Sequence, residues 1–190
     1  MNEPAPRLSA DARREQVLDA AAQVFGERGY GSGTTDEIAR AAGISQAYVV
    51  RMFGSKETLY VEVTRRAAER VAQGFRDAIA RFDGTEDPLR KQRLLGQAYA
   101  DLIADRNVLM TLQHLFSMGH DPVLGPIARE CFLMTYRVVR DEAGMTAEEA
   151  SSFFGRGMLI NVLMTLQLPQ RATGDPSVDE LIECTFPPQG

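Results

Sequence analysis

The chain has 190 residues, with 21 basic and 26 acidic side chains, a net charge of −5 and two cysteines. That length holds one large or two small helical domains and buries roughly 70% of the unfolded surface. The acidic balance excludes a protein that holds nucleic acid through bulk positive charge. Cys131 and Cys184 have no His or Cys partners at metal-ligand spacing, so neither a metal site nor a cofactor is expected.

Met1 to Arg7 carry no apolar core and do not read as a signal peptide. The longest apolar run, Met158 to Leu166, is interrupted by Asn161 and is too short to span a bilayer. The expectation is a cytoplasmic chain with no membrane partner.

Residues 1–8 read as a flexible arm. A first helix is predicted from Ala10 to Arg28, with its apolar stripe at Val17, Leu18, Ala21, Val24 and Phe25. Thr34 and Glu37 then form an S/T-x-x-E capping box, followed by apolar Ile38, Ala39 and Ala42. Gly43 stands where a helix end calls for a left-handed residue. Ile44 plugs the turn, and Ser45 caps the next helix. There Val49, Met52 and Phe53 fall on one inward face, which leaves Gln46, Ala47, Tyr48, Val50 and Arg51 on the others. Gly54 ends that helix and Ser55 caps the next.

Two short capped helices joined by a tight turn form a helix-turn-helix, the unit that places one helix in the major groove of DNA. The outer face of the second helix carries an amide, an aromatic hydroxyl and a guanidinium within six residues. These are groups that read base edges and phosphates.

A long fourth helix is predicted from Lys56 into the low eighties. Asp87-Pro88 open a fifth, with Leu89, Leu94, Leu95, Ala98, Leu102 and Ile103. Val108 to Met118 read as a short sixth helix and Pro122 to Glu142 as a seventh, ended by Gly144. Thr146 and Glu149 form a second capping box, which opens an eighth helix to Leu168. Val178 to Cys184 give a last turn or two. No strand pattern is present, so the fold class is all-α.

The first sixty residues hold seven basic side chains (Arg7, Arg13, Arg14, Arg28, Arg40, Arg51, Lys56) against eight acidic ones. DNA affinity must therefore come from local placement, at Arg7, Arg13, Arg14, Arg51 and Lys56. Few phosphate contacts per subunit make pairing of subunits more necessary.

The eighth helix is apolar nearly all round, at Phe153, Phe154, Met158, Leu159, Ile160, Val162, Leu163 and Leu166. Such a helix is expected to be buried on more than one side. Gly155 and Gly157 permit close helix approach. A two-fold interface through Phe153, Phe154, Gly155, Met158 and Val162, built with the seventh helix, is the expectation. Two copies would set their recognition helices about one turn of DNA apart on a pseudo-palindromic operator.

Met110, Gln113, His114 and Phe116 of the sixth helix, joined by Tyr99, Met134 and Asn161, mix flexible apolar groups with isolated polar ones. They are the candidate lining of a small-molecule pocket. Cys131, among Ile127, Phe132 and Met134, is expected to be a buried, inert thiol.

From Gly29 to Tyr60 the chain resembles the DNA-binding domain of the tetracycline-repressor (TetR) family. The resemblance rests on Gly29-Tyr30, Thr34 to Ala39, Ala42-Gly43-Ile44-Ser45, Phe53, Ser55-Lys56-Glu57 and Leu59-Tyr60. It continues upstream through Arg14, Val17, Leu18, Ala21, Ala22 and Phe25. The chain departs from the family's usual pattern at Val50, where Tyr is common, and places its own Tyr at position 48.

The resemblance implies a helix-turn-helix DNA-binding domain over 1–54 and a ligand-sensing and dimerisation domain over 55–190. It implies DNA contacts among Thr34, Thr35, Ser45, Gln46, Ala47, Tyr48, Val50, Arg51 and Lys56, with Lys56 on the DNA backbone. The implied activity is that of a repressor, a homodimer on double-stranded DNA that a small apolar or amphipathic effector releases. Two rival readings are an enzyme and a helical protein-interaction adaptor without DNA binding. His114 and His120 with Asp121 offer no Ser-His-Asp arrangement, and no phosphate-binding glycine loop is present, so an enzyme is not expected.

Overall fold

In a computed structural model of the chain, the described residues are 9–170 and 174–186. The expected arm over 1–8, and Arg7 with it, lies outside them. The described residues form nine α-helices and no strand, as the all-α expectation required. These are α1 (Ala10–Ser32), α2 (Thr35–Ala41), α3 (Gln46–Phe53), α4 (Lys56–Ile79), α5 (Pro88–Ile103), α6 (Arg106–Ser117), α7 (Leu124–Arg137), α8 (Ala147–Thr165) and α9 (Pro176–Thr185). None is long and apolar enough to cross a membrane.

The helices pack into two compact units. The first joins the chain up to Arg70 with Ile103–Phe132. The second joins Val71–Leu102 with the chain from Leu133 onward. Packing thus draws the unit around the helix-turn-helix wider than 1–54, because α6 lies along α1.

Glycines make that approach close. A Cβ on Gly26 would stand 3.3 Å from the Asn107 Cα. The His114 ring packs against Gly29, and its Nε2 lies 3.2 Å from the Gly26 carbonyl oxygen. The core of the unit is apolar: Val17, Ala21 and Phe25 of α1, Ile38 of α2, Val49 of α3, Leu59 and Tyr60 of α4, and Leu109 and Leu115 of α6.

In the second unit the Phe75 ring meets Phe153 edge-on, with centroids 5.7 Å apart, and Tyr99 at 6.0 Å. Arg76 pairs with Glu142, and Lys91 Nζ donates to the Ala143 carbonyl at 2.9 Å. Both capping boxes form, since each needs only residues three apart.

Helix ends shift where the sequence reading missed a cap. α6 starts at Arg106 because Asp105 accepts from the Asn107 amide at 3.0 Å. α7 starts at Leu124, not Pro122, because the Asp121 carboxylate accepts from the Val123 and Leu124 amides. Those bonds hold the Asp121 carboxyl below the usual carboxylate range. Val138–Glu142 continue α7 as a wider π-helical turn. α4 stops at Ile79 and α8 at Thr165, each short of expectation. α9 opens two residues early, with Asp175 as its cap and Pro176 in its first turn.

α1 runs past Arg28 to Ser32, but only across a kink at Gly29, whose φ of 70° and ψ of 174° suit glycine alone. We expect Gly29→Ala to lower unfolding free energy by about 1–3 kcal/mol, through backbone strain. Urea denaturation of the full chain measures it; stability equal to the parent's would contradict this account of the kink.

Candidate nucleic-acid interface

α3 is held at both ends by local chemistry. At the start of α2 the Thr34 hydroxyl accepts from the Glu37 amide at 3.2 Å, and Glu37 Oε2 accepts from the Thr34 amide at 3.1 Å. The hydrogen bond from the Thr34 hydroxyl, with Arg28 2.9 Å from the other carboxylate oxygen, holds the Glu37 carboxyl below its usual range. Gly43 takes a φ of 64°, which lets the Ile44 amide reach back to the Ala39 carbonyl at 2.9 Å and close the helix. Ser45 then caps α3 by accepting from the Tyr48 amide at 3.3 Å. Gly54, at a φ of 79°, ends it, and Ser55 caps α4 through the Thr58 amide.

Val49 and Phe53 of α3 are buried, and Met52 is half-buried. Gln46, Ala47 and Arg51 are exposed, Val50 is 42% exposed, and Tyr48 is half-buried. The Arg51 guanidinium lies over the Tyr48 ring, 4.7 Å from its centroid. Such a contact orients a planar cation without neutralising it. Gln46 Nε2 donates to Thr35 Oγ1 at 2.9 Å, tying the first turn of α3 to the first turn of α2. Thr34, Thr35, Ser45, Gln46, Ala47, Tyr48, Val50 and Arg51 thus all belong to the two capped helix starts and the outward side of α3.

Lys56 is placed otherwise than expected. Its ammonium donates to the Tyr30 carbonyl at 2.8 Å and the Gly33 carbonyl at 3.1 Å, and sits 4.5 Å from the Tyr30 ring centroid. It caps the far end of α1 instead of standing free for a phosphate. Arg13 donates to Gln16 at 2.8 Å. Arg14 pairs with Glu62 and stacks on Phe53 at 4.4 Å. Of the five cations expected to supply affinity, Arg51 alone among the described residues has neither a hydrogen bond nor an ion pair within the chain.

The candidate pocket residues are divided. Met110, Gln113, His114 and Phe116 belong to the first unit, whereas Tyr99, Met134 and Asn161 belong to the second. His114 is engaged by α1. Within the second unit the Tyr99 hydroxyl donates to Asn161 Oδ1 at 2.6 Å. Burial pushes the Tyr99 phenol up to about 12, so it stays a neutral donor. Asn161 is itself buried on an otherwise apolar helix. Cys131 is buried, and burial pushes its thiol up to about 11, which leaves it a weak nucleophile.

α8 is not buried on several sides by its own chain. Met158, Leu159, Val162 and Leu166 are 38%, 39%, 47% and 58% exposed. With exposed Gly155 they follow i, i+3, i+4, i+7 and i+11, one continuous apolar stripe. Of the expected interface residues, Gly155, Met158 and Val162 lie on it. Phe153 and Phe154 are half-buried, against Phe75 and Tyr136 respectively. Leu159 and Leu166, which the sequence reading did not assign to the interface, complete the stripe, and their spacing was the available signal.

Residues 17–63 match the model of the bacterial regulatory proteins of the TetR family. The HTH-type transcriptional activator FasR of Mycolicibacterium smegmatis is 38% identical over 97 residues, covering 51% of this chain and 43% of that protein. The dual regulator CecR of Shigella flexneri is 32% identical over 110 residues, covering 58% and 45%. The chain therefore spans less than half the length of these curated relatives. A TetR-like transcriptional regulator from Rhodococcus sp. RHA1 superposes with a TM-score of 0.66 at 22% identity, covering 94% of this chain and 96% of that one. The fatty acid degradation regulator FadR of Bacillus halodurans does so at 0.65 and 17%, covering 93% and 100%. These similarities establish the fold. The family match lies on the capped helix-turn-helix, which over residues 17–63 is similar to the DNA-binding domain of TetR-family regulators.

Proposed function

We propose that the chain is a DNA-binding transcriptional regulator, working in the cytoplasm as a homodimer on a pseudo-palindromic operator. The observation that carries this reading is the outward side of α3. It presents an exposed amide at Gln46, a methyl-bearing patch at Ala47 and Val50, and an uncompensated guanidinium at Arg51. Gln and Arg read base edges through paired hydrogen bonds, and Val50 suits a thymine methyl. Residues 1–54 supply the DNA contacts in this proposal, and 55–190 the sensing and pairing.

The exposed stripe on α8 supports pairing. Apolar side chains at four helical positions, left uncovered by their own chain, fit a two-fold contact with the same stripe of a second copy. Pairing matters because one α3 with a single uncompensated cation releases few counterions from DNA.

The chain acts as a repressor that a small apolar or amphipathic effector releases. Tyr99 and Asn161 are the polar groups that orient the effector among the aromatic side chains of the second unit. α4 runs through both units and transmits the change. To lower operator affinity a hundredfold, the effector must prefer the non-binding state by about 2.7 kcal/mol.

Duplexes enriched from a random pool provide an operator. Arg51→Ala is expected to weaken binding to the enriched duplex by tenfold or more, a base-contact loss of about 1–3 kcal/mol, while sedimentation still reports a dimer. Unchanged binding would remove α3 as the reading helix.

Lys56→Met is expected to lower stability by about 1–2 kcal/mol, because it leaves the α1 carbonyls without their donor. It should also leave the slope of log affinity against log salt as it was. A slope shallower by about one would mean that Lys56 holds a phosphate after all.

Val162→Glu is expected to yield a monomer in sedimentation with loss of duplex binding, since the two-fold repeats the buried charge. A dimer that persists would place the interface elsewhere.

A further inference from the structure

The first unit contains a cleft of about 240 Å³ between α1, α4 and α6. It lies on other helices than Tyr99 and Asn161 and has no part in the regulatory reading above. We infer that this cleft binds a small amphipathic carboxylate.

Four features point to that chemistry. The first is Thr111 of α6, which lines the cleft with a fully buried side chain whose hydroxyl has no hydrogen-bond partner. Unpartnered buried hydroxyls are rare in native proteins, and a ligand oxygen would accept from this one. Asn107, one helical turn before Thr111, lines the same wall and adds an amide.

The second is a pair of guanidiniums. Arg66 and Arg70 sit four residues apart on α4, and both line the cleft. Arg66 pairs with Glu15 at 3.0 Å and Asp19 at 2.9 Å, and Arg70 pairs with Asp105 at 3.0 Å. Glu15 and Asp19 are 57% and 70% exposed at the side chain, and ion pairs so open to water are weak. An incoming carboxylate can exchange with one of them and take a guanidinium in the two-pronged geometry that planar partners favour. Asp19 and Asp105 also border the cleft, which weighs against a phosphate dianion.

The third is the apolar wall. Leu18 of α1 and Val63 of α4 are both buried and line the cleft, facing a hydrocarbon tail. The fourth is size. At about 30 Å³ per water-sized group, the volume takes roughly eight, enough for a six-carbon acid and too small for a nucleotide.

The test uses the full chain, isotopically labelled for amide NMR, with hexanoate and hexan-1-ol as probes at millimolar concentration. Hexanoate should give saturable shifts at the Asn107, Val108 and Thr111 amides, and hexan-1-ol should bind roughly tenfold or more weakly. Arg66→Gln and Thr111→Val should each weaken hexanoate roughly tenfold. Thr111→Val removes an unpartnered hydroxyl at nearly constant shape, so it should fold with a Tm at or above the parent's.

The inference is overturned if hexanoate produces no saturable shift, or if its shifts are confined to α5 and α8. It is equally overturned if hexan-1-ol binds as well, or if folded Thr111→Val binds hexanoate as the parent does. Loss of operator binding would defeat the regulatory reading alone and leave the hexanoate result standing.

Discussion

The helix-turn-helix is framed by one aromatic cluster closed by one cation. The Phe25 ring meets Tyr60 edge-on at 5.0 Å, and Tyr30 lies tilted against Tyr60 at 4.9 Å. Lys56 then closes over Tyr30 and donates to the Tyr30 and Gly33 carbonyls. Phe25 also presses on Gly33, where an added Cβ would stand 2.9 Å from its ring. These contacts fix where α1 ends, where α2 is capped one residue after Gly33, and where α4 begins. α3 is the segment strung between two fixed points, so its outward side is set by the chain's own packing. A preset reading surface loses less conformational freedom on binding than one that must fold there.

The same economy governs charge. The chain is acidic, and most of its cations near the reading helix are engaged internally. Arg14 faces Glu62, Arg28 faces Glu37, Arg40 faces Asp36, and Lys56 faces carbonyls. Surface pairs of this type contribute little to stability, but they cancel charge where a phosphate would otherwise find it. Arg51, parked over Tyr48, is the exception, and it stands in the middle of the reading side. In the proposed regulator, affinity concentrated at one cation per chain would call for a paired assembly. The apolar stripe on α8 offers the surface for it.

α4 and α6 tie the reading domain to more of the chain than its own three helices. α6 lies so close to α1 that a Cβ on Gly26 would press on the Asn107 backbone at 3.3 Å, and His114 bonds to the Gly26 carbonyl. Displacing α6 therefore disturbs α1 directly. The cleft between α1, α4 and α6 sits beside this contact and is bordered by exchangeable ion pairs. A ligand there would press on α1 and α6 beside this contact.

Local chemistry was legible in the sequence. The capping boxes at Thr34/Glu37 and Thr146/Glu149, the Ser45 cap, the Gly43 and Gly54 stops, and the inward face of Val49 and Phe53 all depend on residues within one or two turns. They form wherever the chain goes. Single side-chain caps at Asp105, Asp121 and Asp175 are local too, but an Asp alone is a weaker signal than a box, and the helix starts shifted accordingly. Tertiary structure decided the rest. Lys56 turns to Tyr30, Arg14 to Glu62 and His114 to Gly26, partners 26, 48 and 88 residues away. Phe153 turns inward because Phe75 is there to receive it. Helical periodicity places apolar residues on every side of α8, but only packing determines which side the chain leaves uncovered.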